Sequence, residues 1–314
     1  MPFLPRMPFL RRIACLVPIT VIGVWVALNW PVIASGGRGL LNADRYWLLA
    51  ALAVTGLGWV AVSFARQGAV LEPLPARRLF ATQFASGAAN HLLPAGLGAG
   101  AVNLRFLRGC GIPLAQSSAA LALYLLAEAA ARVVLLLTLL TAWPGALRLD
   151  GLVPKSVALP LVWAAGGLVC AAVLAVVAIR PLRRVIGGFL GTALTDARAL
   201  HARPARALAL WGGSLAFPVL QAAGLVAVAL AVDVPVPVMH VAIAYFAASI
   251  AAAAVPTPGG IGSVDAALVV ALVAAGASVT AAGSVVLGYR IITVWLPLIP
   301  GALVLGALVR SKVV

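Results

Sequence analysis

Long apolar segments, separated by short polar or basic connections, make up most of the chain. An apolar helix of about 20 residues crosses the hydrocarbon core of a bilayer. Uninterrupted segments of that order lie at residues 13–34, 46–65, 115–142, 156–179, 207–232 and 281–309. The pattern therefore predicts an all-α polytopic membrane protein with about six full spans. Residues 1–314 then form a single transmembrane domain.

Two further apolar regions are interrupted by proline and glycine. The first covers residues 79–107 and breaks near residues 93–100, and the second covers residues 238–275 and breaks near residues 256–265. Proline removes a backbone donor and glycine loosens a helix, so a membrane tolerates such a break only inside protein or beside a cavity. Because each arm of the first region is short for a span, we expect two re-entrant hairpins of broken helices.

The two interrupted regions resemble each other at an offset of 162 residues. The matching pairs are Phe84 and Phe246, Pro94 and Pro256, Gly98 and Gly260, Gly100 and Gly262, Val102 and Val264, and Asn103 and Asp265. The distribution of basic residues, considered independently, has the two hairpins enter from opposite sides of the membrane. We therefore predict an inverted repeat, with a first half at residues 12–142 and a second half at residues 207–310, as in many secondary transporters.

Composition supports the membrane assignment and restricts the partners. The 314 residues are 64% hydrophobic and 9% charged, with a net charge of +15, whereas soluble domains carry about 25% charged residues. Because the basic residues lie in patches between apolar segments, they indicate topology and contact with anionic phospholipids, and no nucleic-acid partner. Sixteen of the 22 fall on one side. This bias predicts the cell inner (cytoplasmic) membrane, with both termini and the basic loop 180–206 in the cytoplasm.

The loop and the first apolar segment each allow two interpretations. Apolar residues from Ile186 to Ala197 recur at helical spacing among arginines, which is typical of an interfacial amphipathic helix, and a solvated linker is the alternative. Residues 13–34 follow a basic start, as in a signal peptide. They are too long for the apolar core of a signal peptide and lack a clear cleavage site, so we interpret them as the first span.

Asp265 follows the glycine-rich second break, where an acid is costly unless it faces protein or water. An acid at this position predicts that Asp265 either recognises a cationic or hydroxylated headgroup or couples the protein to a proton. The alternative is an N-cap for a half-helix that begins near Ala266. Gly259, Gly260 and Gly262 either offer N–H groups to a phosphate or allow close helix packing.

Charged residues also lie inside the predicted spans. Glu128 and Arg132 stand one helical turn apart in the order that favours an ion pair. They are either a structural pair or a site at which Arg132 binds a lipid phosphate. Arg290 has no acidic neighbour one turn away, and we expect it to bind phosphate. Asn90 and Pro94, at the first break, complete the candidate substrate-binding residues.

Signals for catalysis or for a metal are weak. The sequence contains no zinc-protease, nucleophile-elbow or phosphate-loop motif, and Cys15, Cys110 and Cys170 are too far apart for metal spacing. A lone histidine such as His91 is more typical of a polar packing group than of a ligand. We therefore expect no enzyme activity, no metal and no cofactor.

The two breaks carry a resemblance to a known family. The stretches NHLLP at residues 90–94, GAG at 98–100 and PTPGGIGSVD at 256–265 resemble the transmembrane region of bacterial lysylphosphatidylglycerol synthase/flippase proteins and their stand-alone flippase-like relatives. The resemblance covers about residues 12–310. Asp265 stands where the family usually has Glu, and Ala101 follows Gly100 where the family often has Glu. The aminoacyl-transfer domain of the large synthases does not appear in this sequence, so the resemblance implies translocation and not lysyl transfer.

The function that the resemblance implies is a flippase-like transporter or binder of a membrane lipid, or of a polyprenyl-linked substrate such as a lipid-linked sugar. One alternative is a membrane-embedded transferase that uses a lipid-linked substrate. The other is a non-transporting subunit or scaffold, which would anchor a cytoplasmic partner enzyme through the loop 180–206.

Overall fold

The computed structural model describes residues 40–92, 97–147, 197–253 and 262–310, together with residues 195, 257 and 260. Regular structure in this part of the chain is entirely helical. In chain order the helices are α1 (Arg45–Gly68), α2 (Ala76–Leu92), α3 (Leu97–Gly109), α4 (Leu114–Ala142), α5 (Pro204–Ala231), α6 (Val238–Ala253), α7 (Ser263–Ala274), α8 (Val279–Arg290), a π-helix (Ile291–Trp295) and α9 (Leu296–Arg310). The predicted spans at residues 13–34 and 156–179 lie outside the described residues, as does nearly all of the predicted amphipathic segment 186–197.

Four of these elements are long and apolar enough to cross a membrane. They are α1, α4, α5 and the continuous helix Val279–Leu308, which runs from α8 through the π-helix into α9. Their positions match the predicted spans at residues 46–65, 115–142, 207–232 and 281–309. Large apolar side chains on them remain exposed, with Leu303 72% accessible. An apolar outer surface of this kind is suited to lipid and not to water.

The two interrupted regions each form a pair of short helices. α2 packs against α3, and α6 packs against α7, so each chain segment turns back on itself after its break. The first break is shorter than predicted, because α3 already begins at Leu97. Gly98 makes this possible: a Cβ at this position would lie 1.9 Å from the carbonyl oxygen of Ala89, so only glycine lets the start of α3 lie against the end of α2.

The second break also ends earlier than predicted. α7 begins at Ser263, with Gly262 as the preceding cap residue, and not near Ala266. The Asp265 carboxylate lies in the first turn and accepts a hydrogen bond from the Gly262 N–H at 2.9 Å. An acid in the first turn satisfies an otherwise unpaired N–H group and complements the positive end of the helix dipole. The helix therefore starts three residues before the position expected from the sequence.

Helices α1 and α5 run antiparallel at the centre of the fold. The end of α1 lies on the start of α5, where a Cβ on Gly68 would lie 2.2 Å from the Leu210 nitrogen. At the opposite end, the Asp44 N–H donates to the carbonyl oxygen of Ala231 at 2.9 Å. Glycine lets the two backbones approach closely, which is how helices associate in lipid. This pair connects the core that contains α3 and Tyr124 with the core that contains α6, α7 and Tyr289.

Candidate functional site

A cavity of about 340 Å³ lies between the helices, with walls from α1 to α8 and from the π-helix. A volume in this range is typical of a site for a small molecule or a headgroup. Its polar lining residues are Thr55, Gln83, Ser86, Asn90, His91, Arg132, Gln221, Tyr245, Ser249, Tyr289, Arg290 and Thr293. The structure thus brings together three of the predicted site residues, Asn90, Arg132 and Arg290, from three separate helices.

Arg290, the last residue of α8, joins that helix to the second break. Its Nε donates to Oδ1 of Asp265, and its Nη2 donates to the carbonyl oxygen of Gly260 at 2.9 Å. The side chains of Arg290 and Asp265 are only 12% and 15% exposed. Charges this far from water are stable only when they are paired and hydrogen-bonded. The pair therefore fixes the guanidinium at the cavity wall.

The glycines of the second break already use their N–H groups within the protein. Gly260 donates to the carbonyl oxygen of Thr257 at 3.1 Å, and Gly262 donates to Asp265. Both glycines have positive φ, at 69° and 88°, a backbone conformation that side chains disfavour. In this conformation their role is to shape the turn, and neither N–H group is left for a phosphate. Gly259 lies outside the described residues.

Arg132 is the second cavity arginine. Its Nη2 donates to Glu128 Oε1 at 2.5 Å, which confirms the ion pair predicted from their spacing. Its Nε is buried without a hydrogen-bond partner among the described residues. Neither Glu128 nor Asp265 is among the described residues that line the cavity. Each arginine therefore lines the cavity while it is paired with a carboxylate that is not among the described lining residues.

The end of α2 contributes two further unpaired polar atoms. Asn90 Oδ1 and His91 Nδ1 are buried, and within the described part of the chain neither has a hydrogen-bond partner. A buried polar atom without a partner is costly and points to a bound water or ligand. Both residues line the cavity with the arginines. Pro94, the remaining predicted site residue of this break, lies outside the described residues.

Comparison with protein families gives one result. A family model described as "Lysylphosphatidylglycerol synthase TM region" matches residues 14–301. The chain belongs to this family. The match confirms the resemblance read from the two breaks, and with the apolar helices it makes the chain a membrane-embedded, multi-pass protein. A comparison with curated proteins found no match.

Sequence reasoning missed several cavity residues of this lysylphosphatidylglycerol synthase TM-region protein. Tyr289 donates from its hydroxyl to Gln221 Oε1 at 3.1 Å, and Tyr245 lies against Tyr289 with ring centroids 6.3 Å apart. The sequence does contain a signal for Gln221, because a polar side chain within an apolar span is unusual. Arg132 was selected for the same reason. His91 lines the cavity although a packing role was expected.

Asn103, which the repeat aligns with Asp265, has a comparable structural role. It donates to Ser86 Oγ at 2.7 Å and to the carbonyl oxygen of Ala99 at 2.8 Å, and it accepts from Gln83 Nε2 at 3.3 Å. It is 2% exposed. Asn103 therefore joins α3 to α2, as Asp265 joins α7 to α8.

Proposed function

We propose that this chain binds the phosphate of a lipid or lipid-linked molecule in the central cavity and moves the headgroup across the bilayer. The observation that carries the proposal is that two arginines, Arg132 and Arg290, line one cavity, each paired with a carboxylate that is not among the described lining residues. An intramembrane charge is costly and is usually functional. Arginine in particular presents several donors in a geometry that fits phosphate oxygens.

An inverted repeat with two re-entrant hairpins would supply the movement. The antiparallel helices α1 and α5 correspond to each other in the two proposed units, and a packed pair of short helices follows each. Thr55 and Trp59 of α1 line the cavity together with Phe217 and Gln221 of α5, and these pairs are separated by the 162-residue offset of the repeat. A site at the interface of two inverted units can open to either side by a rocking movement of one unit.

The π-helix Ile291–Trp295 lies beside the proposed phosphate site. It follows Arg290 directly, and Thr293 and Val294 line the cavity. π-Helical turns interrupt regular hydrogen bonding and are frequent at functional sites. In our proposal this turn lets the outer part of the long helix Val279–Leu308 move while Arg290 stays paired with Asp265.

The two alternatives make different predictions. A membrane-embedded transferase would convert its lipid chemically, whereas we propose transport without catalysis. A scaffold would need the chain in the membrane but neither cavity arginine. We further propose an orientation with both termini in the cytoplasm, based on the bias of basic residues.

Lipid movement in reconstituted vesicles tests the proposal. The purified chain is placed in liposomes that contain a fluorescent anionic phospholipid, and the fraction that becomes accessible to an external quencher is followed over time. We expect movement above that of empty vesicles, and its loss in Arg132→Gln and Arg290→Gln. Arg108→Gln is the matched control, because Arg108 is exposed at the end of α3, and we expect it to retain activity.

Two results would overturn the proposal. The first is wild-type protein that moves no lipid beyond empty vesicles, which would favour the scaffold. The second is that both cavity variants reach the membrane in normal amount and move lipid as fast as the wild type, which would show that the arginines are not part of the transport site. Chemically altered lipid recovered from the vesicles would favour the transferase.

A further inference from the structure

The acidic residues of this chain are few, and their positions restrict what the cavity can bind. The sequence contains seven: Asp44, Glu72, Glu128, Asp150, Asp196, Asp233 and Asp265. Asp44, Glu72 and Asp233 lie at helix ends or in connections, and Asp150 and Asp196 fall between the predicted apolar segments. Of the acidic residues that the structure describes, only Glu128 and Asp265 pair with arginines that line the cavity.

Neither of these two carboxylates is free for a ligand. Glu128 pairs with Arg132, and Asp265 accepts from both Arg290 and the Gly262 N–H. No acidic residue is among the described residues that line the cavity. A ligand ammonium group would therefore meet two guanidinium groups whose carboxylates are already paired, and no free carboxylate. It would stay unpaired in a site of low polarity, which is costly.

The rest of the lining is suited to hydroxyl groups. Asn90, Gln221 and Ser249 line the cavity with polar side chains, and amide and hydroxyl groups can form hydrogen bonds with the hydroxyl groups of a ligand. Arg132 also lines the cavity, and its guanidinium has donors besides the Nη2 that pairs with Glu128, which can donate to a phosphate oxygen. Trp59 adds an aromatic ring, which can pack against the apolar face of a glycerol or a sugar.

We propose that the cavity selects a net-anionic headgroup in which a phosphate ester carries hydroxyl groups, and that it rejects an aminoacylated headgroup with an ammonium group. This inference rests on the proposed function, because it names the substrate class of that same cavity. Two sources fit the chemistry, a glycerophospholipid with a glycerol headgroup and a polyprenyl phosphate that carries a sugar. The substrate of this chain would then differ from lysylphosphatidylglycerol, the lipid for which its family is named.

Binding measurements on the purified full-length chain test the selectivity. The probes are phosphatidylglycerol, phosphatidic acid, lysylphosphatidylglycerol and a polyprenyl phosphate sugar, each added at increasing amounts in mild detergent, with native mass spectrometry as the readout. We expect phosphatidylglycerol to bind roughly tenfold or more tightly than lysylphosphatidylglycerol, because of the unpaired ammonium. It should also bind more tightly than phosphatidic acid, which has no headgroup hydroxyls. The polyprenyl probe distinguishes the two sources. Whichever of the polyprenyl phosphate sugar and phosphatidylglycerol binds more tightly identifies the substrate.

A charge placed in the cavity should reverse the preference. Gln221→Glu keeps the side-chain length and the acceptor for the Tyr289 hydroxyl, but adds the carboxylate that the lining lacks. We expect this variant to gain affinity for lysylphosphatidylglycerol and to lose affinity for phosphatidylglycerol. Gln116→Glu is the control, because Gln116 lies near the start of α4 away from the cavity, and the wild-type order of affinities should persist.

The outcomes separate this inference from the proposed function. If lysylphosphatidylglycerol binds as tightly as phosphatidylglycerol or more so, and Arg132→Gln and Arg290→Gln weaken both, the cavity binds lipid but the selectivity is wrong. If neither arginine variant weakens the binding of any probe, the proposed function fails as well. Equal changes in lipid affinity in Gln221→Glu and Gln116→Glu would also overturn the selectivity, because the change in affinity would then not depend on a charge in the cavity.

Discussion

The contact between α1 and α5 can be tested at a single glycine. A Cβ on Gly213 would lie 2.5 Å from the Ala65 nitrogen and 2.6 Å from the Ala61 carbonyl oxygen. Both neighbours are backbone atoms, so no side-chain rotation relieves the overlap, and the helices must separate by about 1 Å to restore ordinary contact. Overpacking of this kind costs about 1–3 kcal/mol. Alanine also gains about 1 kcal/mol of helix propensity over glycine. Because the gain offsets part of the cost, we expect Gly213→Ala to lower the free energy of unfolding by about 1 kcal/mol.

The neighbouring glycine provides the matched control. A Cβ on Gly212 would meet nothing within 4 Å, so Gly212→Ala keeps only the gain in helix propensity, up to about 1 kcal/mol. The two variants differ by one position in the same helix and should change stability in opposite directions. The assay is reversible unfolding of the purified protein in an SDS titration, followed by helical circular dichroism. The close packing of α1 on α5 would be refuted if Gly213→Ala unfolded at the same SDS fraction as Gly212→Ala.

Two more predictions concern the second break and the orientation. Asp265→Ala should reduce the amount of protein in the membrane more than Asp265→Asn, because alanine leaves both Arg290 and the Gly262 N–H without an acceptor while asparagine keeps one oxygen. Immunoblots of membrane fractions measure these amounts, and equal amounts of the two variants would show that the pair is dispensable for folding. In a chain without its native cysteines, a cysteine at Asp233 should react with an impermeant reagent from outside intact cells and one at Arg78 should not; labelling at Arg78 would reverse the orientation.

Local sequence patterns were enough to predict the helices and their interruptions. The four described spans follow from apolar length, because lipid requires each backbone polar group to be paired within its own helix. Proline and glycine marked both breaks for the same reason. The ion pair of Glu128 and Arg132 was also predictable, since both residues lie on one helix and their spacing fixes their geometry.

The partner of Arg290 could not be predicted from local spacing. Asp265 lies 25 residues earlier in the chain, and only the packing of α7 and α8 brings the two side chains together. The early start of α7 has the same origin, because it depends on the positive φ of Gly262 and on the Asp265 carboxylate. Within the described part of the chain, eight helices and the π-helix line the cavity, so residues such as Gln221 and Tyr289 became candidates only once those helices were placed.

Photocrosslinking of a lipid headgroup shows directly whether the cavity holds the phosphate of a lipid. A phospholipid with a photoreactive group beside its phosphate is incorporated into vesicles with the wild-type chain, and the modified residues are identified by mass spectrometry. We expect labels on cavity residues such as Trp59, Gln221 and Tyr245. We expect these labels to be lost when both Arg132 and Arg290 are replaced by Gln. Labels confined to outward-facing residues such as Leu126 and Leu303, unchanged in the double variant, would contradict it.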